Sequence, residues 1–178
     1  EESNLPMREW ETGGDRSVEV GIRVLNAYFK KYPRDQENWH VIAVEQGFAI
    51  DLCTNPPIIY MGRIDMIVEE NDRFTINDHK FSKQLGNSYM DRLRPNDALT
   101  GYCWSAGQIL GLPIERAMLN VICPLKTDIK FGRGVTNRTA ADFAEWRQRA
   151  VSRATRLYRL LEQAQIVGVE ASLPSFLK

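Results

Sequence analysis

The sequence predicts one mixed α/β domain, and three observations support that prediction. Segments of helical period alternate with runs rich in Val, Ile and Phe. Two of the β-type runs are joined by a short polar turn, as a hairpin requires. No repeat, low-complexity tract or Pro/Gly-rich linker divides the 178 residues, a length that supports one sizeable core. The expectation is a single domain over 1–178, lacking natural N- and C-terminal extensions.

Glu1 to Arg16 is polar and loop-like, and Gly13-Gly14 breaks any helix there. Asp15 or Ser17 can then cap a helix running to about Tyr32. Val18, Ile22, Leu25, Phe29 and Tyr32 fall on one face of it, and Pro33 ends it. Trp39 to Asp51 alternates as a strand does. After Thr54-Asn55-Pro56-Pro57 come Ile58 to Glu69, a turn at Glu70-Asn71-Asp72-Arg73, and Phe74 to Phe81. Asp97 to Leu110 has helical period, with Leu99, Tyr102, Ala106 and Ile109 on one side and Gly111 as its stop. Arg116 to Pro124 reads as a strand. The segment 125–138 reads as a long basic loop holding Lys126, Lys130, Arg133 and Arg138. Thr139 caps a last helix, with Asp142 reaching back. That helix runs to about Ala164 and turns Phe143, Trp146, Ala150, Leu157 and Leu161 toward the core. The predicted order is helix, three strands, helix, strand, helix.

Composition narrows the chemistry. Lys+Arg and Asp+Glu number 23 each, so any attraction for a polyanion must be local. No apolar run approaches the ~18 residues of a membrane span, and nothing resembles a signal peptide. Cys53, Cys103 and Cys123 are widely spaced, without a C-x-x-C pair, which suits reduced thiols in the cytoplasm. With only His40 and His79 present, a metal site must be built mainly from oxygen ligands, which suits Mg²⁺ or Mn²⁺.

The segment Gly62-Arg63-Ile64-Asp65 … Ile76-Asn77-Asp78-His79-Lys80 is the centre of the functional reading. Pairing its strands symmetrically about Asn71-Asp72 makes Asp65 and Asp78 direct cross-strand partners, roughly 5 Å apart. Lys80, two residues beyond Asp78, shares its face. Ile64, Ile67 and Ile76 keep the surroundings apolar. Opposed carboxylates repel, and a divalent cation between them would remove the repulsion, polarise a phosphate and lower the pKa of a bound water. Lys80 can orient the attacking water and offset charge on the phosphate. The competing reading makes the acids ordinary strand-end residues with Lys80 as ion-pair partner, and a one-residue slip would put them on opposite faces.

The run "GRIDMIVEENDRFTINDHKFSK" resembles the core of the RecB-like branch of the PD-(D/E)xK nuclease superfamily, in which a Gly-x-x-Asp strand precedes an Asp-x-Lys strand. "VEQGFAI" resembles its first core strand, "ALTGYCWSAG" the helix after the core, and "DRSVEVGIRVLNAYFKKY" the helix before the sheet. The resemblance implies a restriction-endonuclease-like fold, a central mixed β-sheet flanked by helices, and a Mg²⁺- or Mn²⁺-dependent nuclease acting on DNA. Asp65 and Asp78 would then be metal-binding acids and Lys80 the catalytic lysine. His79 would offer its backbone carbonyl to the metal, its ring pointing to the opposite face. Glu45 would either assist the metal or be a structural strand residue, and Tyr102 would either face DNA or pack in the core.

Three departures from the branch are visible. Ala98 stands where Gln usually precedes the helix tyrosine, no helix bearing His or Glu lies upstream of Asp15, and no C-terminal cysteine cluster is present. An iron–sulfur cluster is therefore not supported by the residues present. The expected setting is recombination, repair or phage DNA processing in a bacterial or phage-infected cytoplasm, with possible protein partners in such a complex. The rivals are the related CRISPR-associated adaptation nuclease and a catalytically impaired DNA-binding or assembly module. For DNA contacts the candidates are Tyr102, Lys126, Lys130, Arg133 and Arg138, with Arg149, Arg153 and Arg156 forming a helical stripe that is either phosphate-binding or a solvated face. Trp104 and Trp146 could stack on bases or sit in the core.

Overall fold

In the computed structural model, which describes residues 17–86, 96–125 and 128–166, five strands form one sheet in the order of the chain. The strands are β1 (His40–Thr54), β2 (Pro57–Glu70), β3 (Arg73–Phe81), β4 (Arg116–Pro124) and β5 (Ile129–Asn137). All neighbours run antiparallel except β3 and β4, which are parallel. A parallel pair needs a crossover, and the chain between them holds the helix α3 (Asp97–Leu110). The other helices are α1 (Val18–Lys31), the single turn α2 (Asp35–Asn38) and α4 (Ala140–Ile166).

Local chemistry sets these boundaries. Ser17 caps α1, its hydroxyl accepting from the Val20 amide at 3.3 Å. Asn96 caps α3 through the Leu99 amide at 3.1 Å, and Gly111 ends it in the left-handed region at φ 63°. Asp142 accepts from both the amide and the hydroxyl of Thr139, at 2.7 and 2.8 Å, closing the expected capping box at the start of α4. The β2–β3 turn places Asn71 and Asp72 at φ 52° and 60°, the backbone a two-residue hairpin loop favours.

Helices α3 and α4 cover one face of the sheet. Ile64, Ile67, Ile76, Leu119 and Val121 pack there with Leu99, Cys103 and Ala106 of α3, and Phe143 packs against them. On the other face α1 lays Val24 and Tyr28 against Ile122, Ile129 and Phe131. No described helix is long and apolar enough to cross a membrane.

Three expectations are corrected. The basic segment after β4 is not a loop, because Ile129–Asn137 is a strand paired along the whole of β4. Gly132, Gly134 and scattered charge weaken its local strand signal. β4 is buried almost throughout, however, and its backbone groups need partners on both sides. On α1, Val18, Ile22, Leu25 and Phe29 are exposed, and the buried side runs through Val24 and Tyr28. On α4, Trp146 reaches the core, but Leu157 and Leu161 are 50% and 39% exposed, so the buried side of the helix does not continue to them.

Candidate active site

The ladder between β2 and β3 runs from Glu70–Arg73 to Met66–Asn77, the register deduced from the turn. It stops one step before Asp65 and Asp78, so the two acids are not a ladder pair. Opposed carboxylates would repel there. The Asp65 carboxylate instead accepts the His79 backbone N–H at 2.9 Å, replacing the partner that amide loses as the strands part. The distortion extends into β1. Glu45, opposite Asp65 between the pairs Val44–Met66 and Gln46–Ile64, has φ 52°. Ile64 and Ile67 enter the same core although they are three positions apart, which strict alternation forbids.

Asp78 is 3% exposed and shares the α3 face with Ile76. Lys80, on the same face, donates from Nζ to Asp78 Oδ1 at 3.0 Å, with half its side chain still in solvent. Burial raises the Asp78 carboxyl above the usual carboxylate range, against the pull of Lys80, and the charge of Asp65 adds to the rise. Burial works against the Lys80 ammonium, but its hydrogen bond and charge interaction with Asp78, reinforced by Asp65, raise its pKa overall. Two acids and one ammonium thus share a partly dry site with an excess of negative charge.

His79 turns its ring to the α1 side, 6.0 Å from the Tyr28 ring, and burial depresses its pKa. The Glu45 carboxylate is exposed and held by Arg63 at 2.8 Å. Tyr102 is half-buried, packs against the core with its ring 6.2 Å from Phe48, and is close enough to Lys80 to act on its charge.

The other basic and aromatic candidates are dispersed. Lys126 lies outside the described residues, and Lys130 is exposed on β5. Arg138 is 6% exposed, donating to the hydroxyls of Thr100 and Thr136 at 2.7 and 2.6 Å and to the Asn137 carbonyl. Arg149 and Arg153 both reach Asp97, at 2.7 and 3.1 Å, and Arg149 also holds Glu145, while Arg156 is exposed. Trp146 is buried between Tyr60 and Trp104.

Arg133 is at the centre of a polar network behind β3. Its guanidinium forks onto Asp35 at 2.9 and 2.6 Å and donates to the Tyr28 hydroxyl at 2.8 Å. Its Nε donates to Asn120 Oδ1 at 2.6 Å, and Asn120 Nδ2 donates to Asn77 Oδ1. Arg133 also lies 3.7 Å from the Tyr32 ring centroid. Burial is the main reason the Tyr28 hydroxyl is pushed up to about 12. Asp35, Asn77 and Asn120 were not singled out in the sequence, and no local pattern links residues so far apart.

Among the described residues no three His, Cys, Asp or Glu side chains cluster as a metal cage. Two carboxylates and a backbone carbonyl nevertheless fit Mg²⁺ or Mn²⁺. Such hard ions take oxygen donors, and Mg²⁺ commonly binds through one or two carboxylates and keeps several waters. The surplus negative charge of the site fits the same ions. Among solved structures the chain is similar to the crystal structure of SSO0001, at 15% identity and a TM-score of 0.44, over 75% of this chain and 58% of that one. No curated protein matches the sequence. A family model, that of the PD-(D/E)XK nuclease superfamily, matches residues 5–165.

Proposed function

The chain belongs to the PD-(D/E)XK nuclease superfamily, and from that membership we propose that it hydrolyses DNA phosphodiesters with Mg²⁺ or Mn²⁺, using Asp65, Asp78 and Lys80. The observation that supports this most is the fork between β2 and β3, where both acids and the lysine gather at the point of strand parting. A divalent cation held by Asp65, Asp78 and the His79 carbonyl would polarise the scissile phosphate and lower the pKa of a bound water.

The protein's own groups do the rest. Burial works against the charged form of Asp78, and a bound cation would offset that cost by pairing with the carboxylate. Lys80, with half its side chain exposed, would donate to a non-bridging phosphate oxygen as charge builds there. Asp65 holds the His79 amide and so fixes the peptide that follows Asp78. The likeness to RecB-like exonucleases favours DNA and a role in recombination, repair or phage DNA processing, in the cytoplasm. A second reading, a catalytically impaired DNA-binding or assembly module, is favoured by Ala98, exposed on α3 where that branch usually has Gln.

The test is cleavage of end-labelled single- and double-stranded DNA with Mg²⁺, Mn²⁺ or EDTA, comparing the chain with Lys80→Ala. Metal-dependent cutting, lost in the variant by about 10²-fold or more, is the expected result. DNA retained without cutting would favour the impaired module, and neither cutting nor binding would overturn both readings.

A further inference from the structure

We propose that Arg133 is a positioning residue that fixes the candidate metal-binding stretch of β3 from behind, an inference that rests on the nuclease reading. From Asp78 onward, β3 keeps a strand ladder on one side only, to β4. On its β2 side, beyond the ladder, the His79 amide donates to the Asp65 carboxylate. The stretch that carries both Asp78 and the His79 carbonyl therefore lacks the second ladder that holds Thr75, Ile76 and Asn77.

Both residues flanking Asp78 point away from it, to the α1 face. Asn77 accepts from Asn120, which accepts from Arg133 Nε at 2.6 Å. His79 packs its ring against Tyr28, whose hydroxyl accepts from Arg133 at 2.8 Å. One guanidinium thus reaches both neighbours of Asp78, each through one intervening side chain. Asp35 anchors that guanidinium at two points, and Tyr32 stacks on it. A planar fork with its donors in fixed directions can make these contacts together, which a lysine ammonium cannot. Outer partners of this kind orient the groups that hold a metal, and losing one typically costs 10–100-fold in affinity or activity.

Two variants of the full chain test this. Asn120→Ala cuts the link to Asn77 but leaves the Arg133–Asp35 fork, and Arg133→Lys keeps the charge but loses the fork. Mn²⁺ affinity is read from the free-ion electron paramagnetic resonance signal, alongside kcat, KM for DNA and thermal unfolding. The expected result in both variants is Mn²⁺ binding weakened about 10-fold or more and a lower kcat, with KM for DNA unchanged. Lowered unfolding midpoints with wild-type Mn²⁺ affinity and kcat would overturn the positioning role. If wild type binds Mn²⁺ and cuts DNA while both variants match it, that role alone falls. If wild type does neither, the nuclease reading fails and the inference falls with it.

Discussion

Replacing Asp35 with alanine removes the acceptor of two Arg133 hydrogen bonds and leaves that guanidinium facing the Tyr28 hydroxyl and three aromatic rings. The side chains of Arg133 and Asp35 are only 20% and 14% exposed, so water can replace the carboxylate only in part. Breaking one side of a buried pair costs ~3–5 kcal/mol, and the remaining exposure places Asp35→Ala at about 3 kcal/mol on that scale. For a domain of this size such a loss lowers the midpoint by roughly 6–12 °C. Much of the loss comes from the stranded cation, so Arg133→Met in the same chain should recover part of it. The assay is a double-mutant cycle by urea unfolding of the wild type, Asp35→Ala, Arg133→Met and the double variant. The double variant is expected to be more stable than the two single losses added together, by at least about 1 kcal/mol. Strict additivity would refute the reasoning, because it would mean that the two groups do not depend on each other.

Two further expectations concern packing and pH. Gly101 of α3 is buried, and a Cβ there would come within 2.7 Å of Trp146 Cζ2 and 2.9 Å of Tyr60 Cζ. Gly101→Ala should therefore destabilise by ~1–3 kcal/mol, despite alanine's better helix propensity, and thermal unfolding would show it. Burial raises the folded-state pKa of Asp78 above its unfolded value. Its protonated form therefore stabilises the metal-free fold below the unfolded pKa, and that contribution is lost as pH rises through the folded pKa. A cation binds the ionised form, so the gain in melting temperature on adding Mn²⁺ should grow with pH across that raised pKa. A gain independent of pH in wild type, or one equally large in Asp78→Asn, would count against Asp78 as a ligand.

The candidate site was more legible than its surroundings. Asn71-Asp72 set the register of the ladder as far as Met66–Asn77, and period two puts Lys80 on the face of Asp78, but the direct pairing of Asp65 with Asp78 did not follow. The parting of the strands was not legible, since it depends on how Asp65 answers the His79 amide. The strand β5 was missed because its glycines and charges suit a loop, and only the demand of buried β4 for a partner makes it a strand. The exposed row Val18, Ile22, Leu25 and Phe29 shows the limit of helical spacing, which finds an apolar face but not what covers it. Arg133 was legible as a cation but not as a buried one, because its partner Asp35 lies in a turn after α1 with no local sequence link to β5.

The parallel pairing of β3 with β4 has a kinetic side. β1, β2 and β3 form a meander of short-range contacts, so Asp65, Asp78 and Lys80 can come near one another early in folding. Joining β3 to β4 requires closing the chain between Phe81 and Arg116, an entropic cost that must be met before distant contacts reward it. Asn120 and Arg133 lie on β4 and β5, on the far side of that closure. The candidate acids thus come from the part of the sheet with the shorter connections to close, and Asn120 and Arg133 from the part beyond the long one.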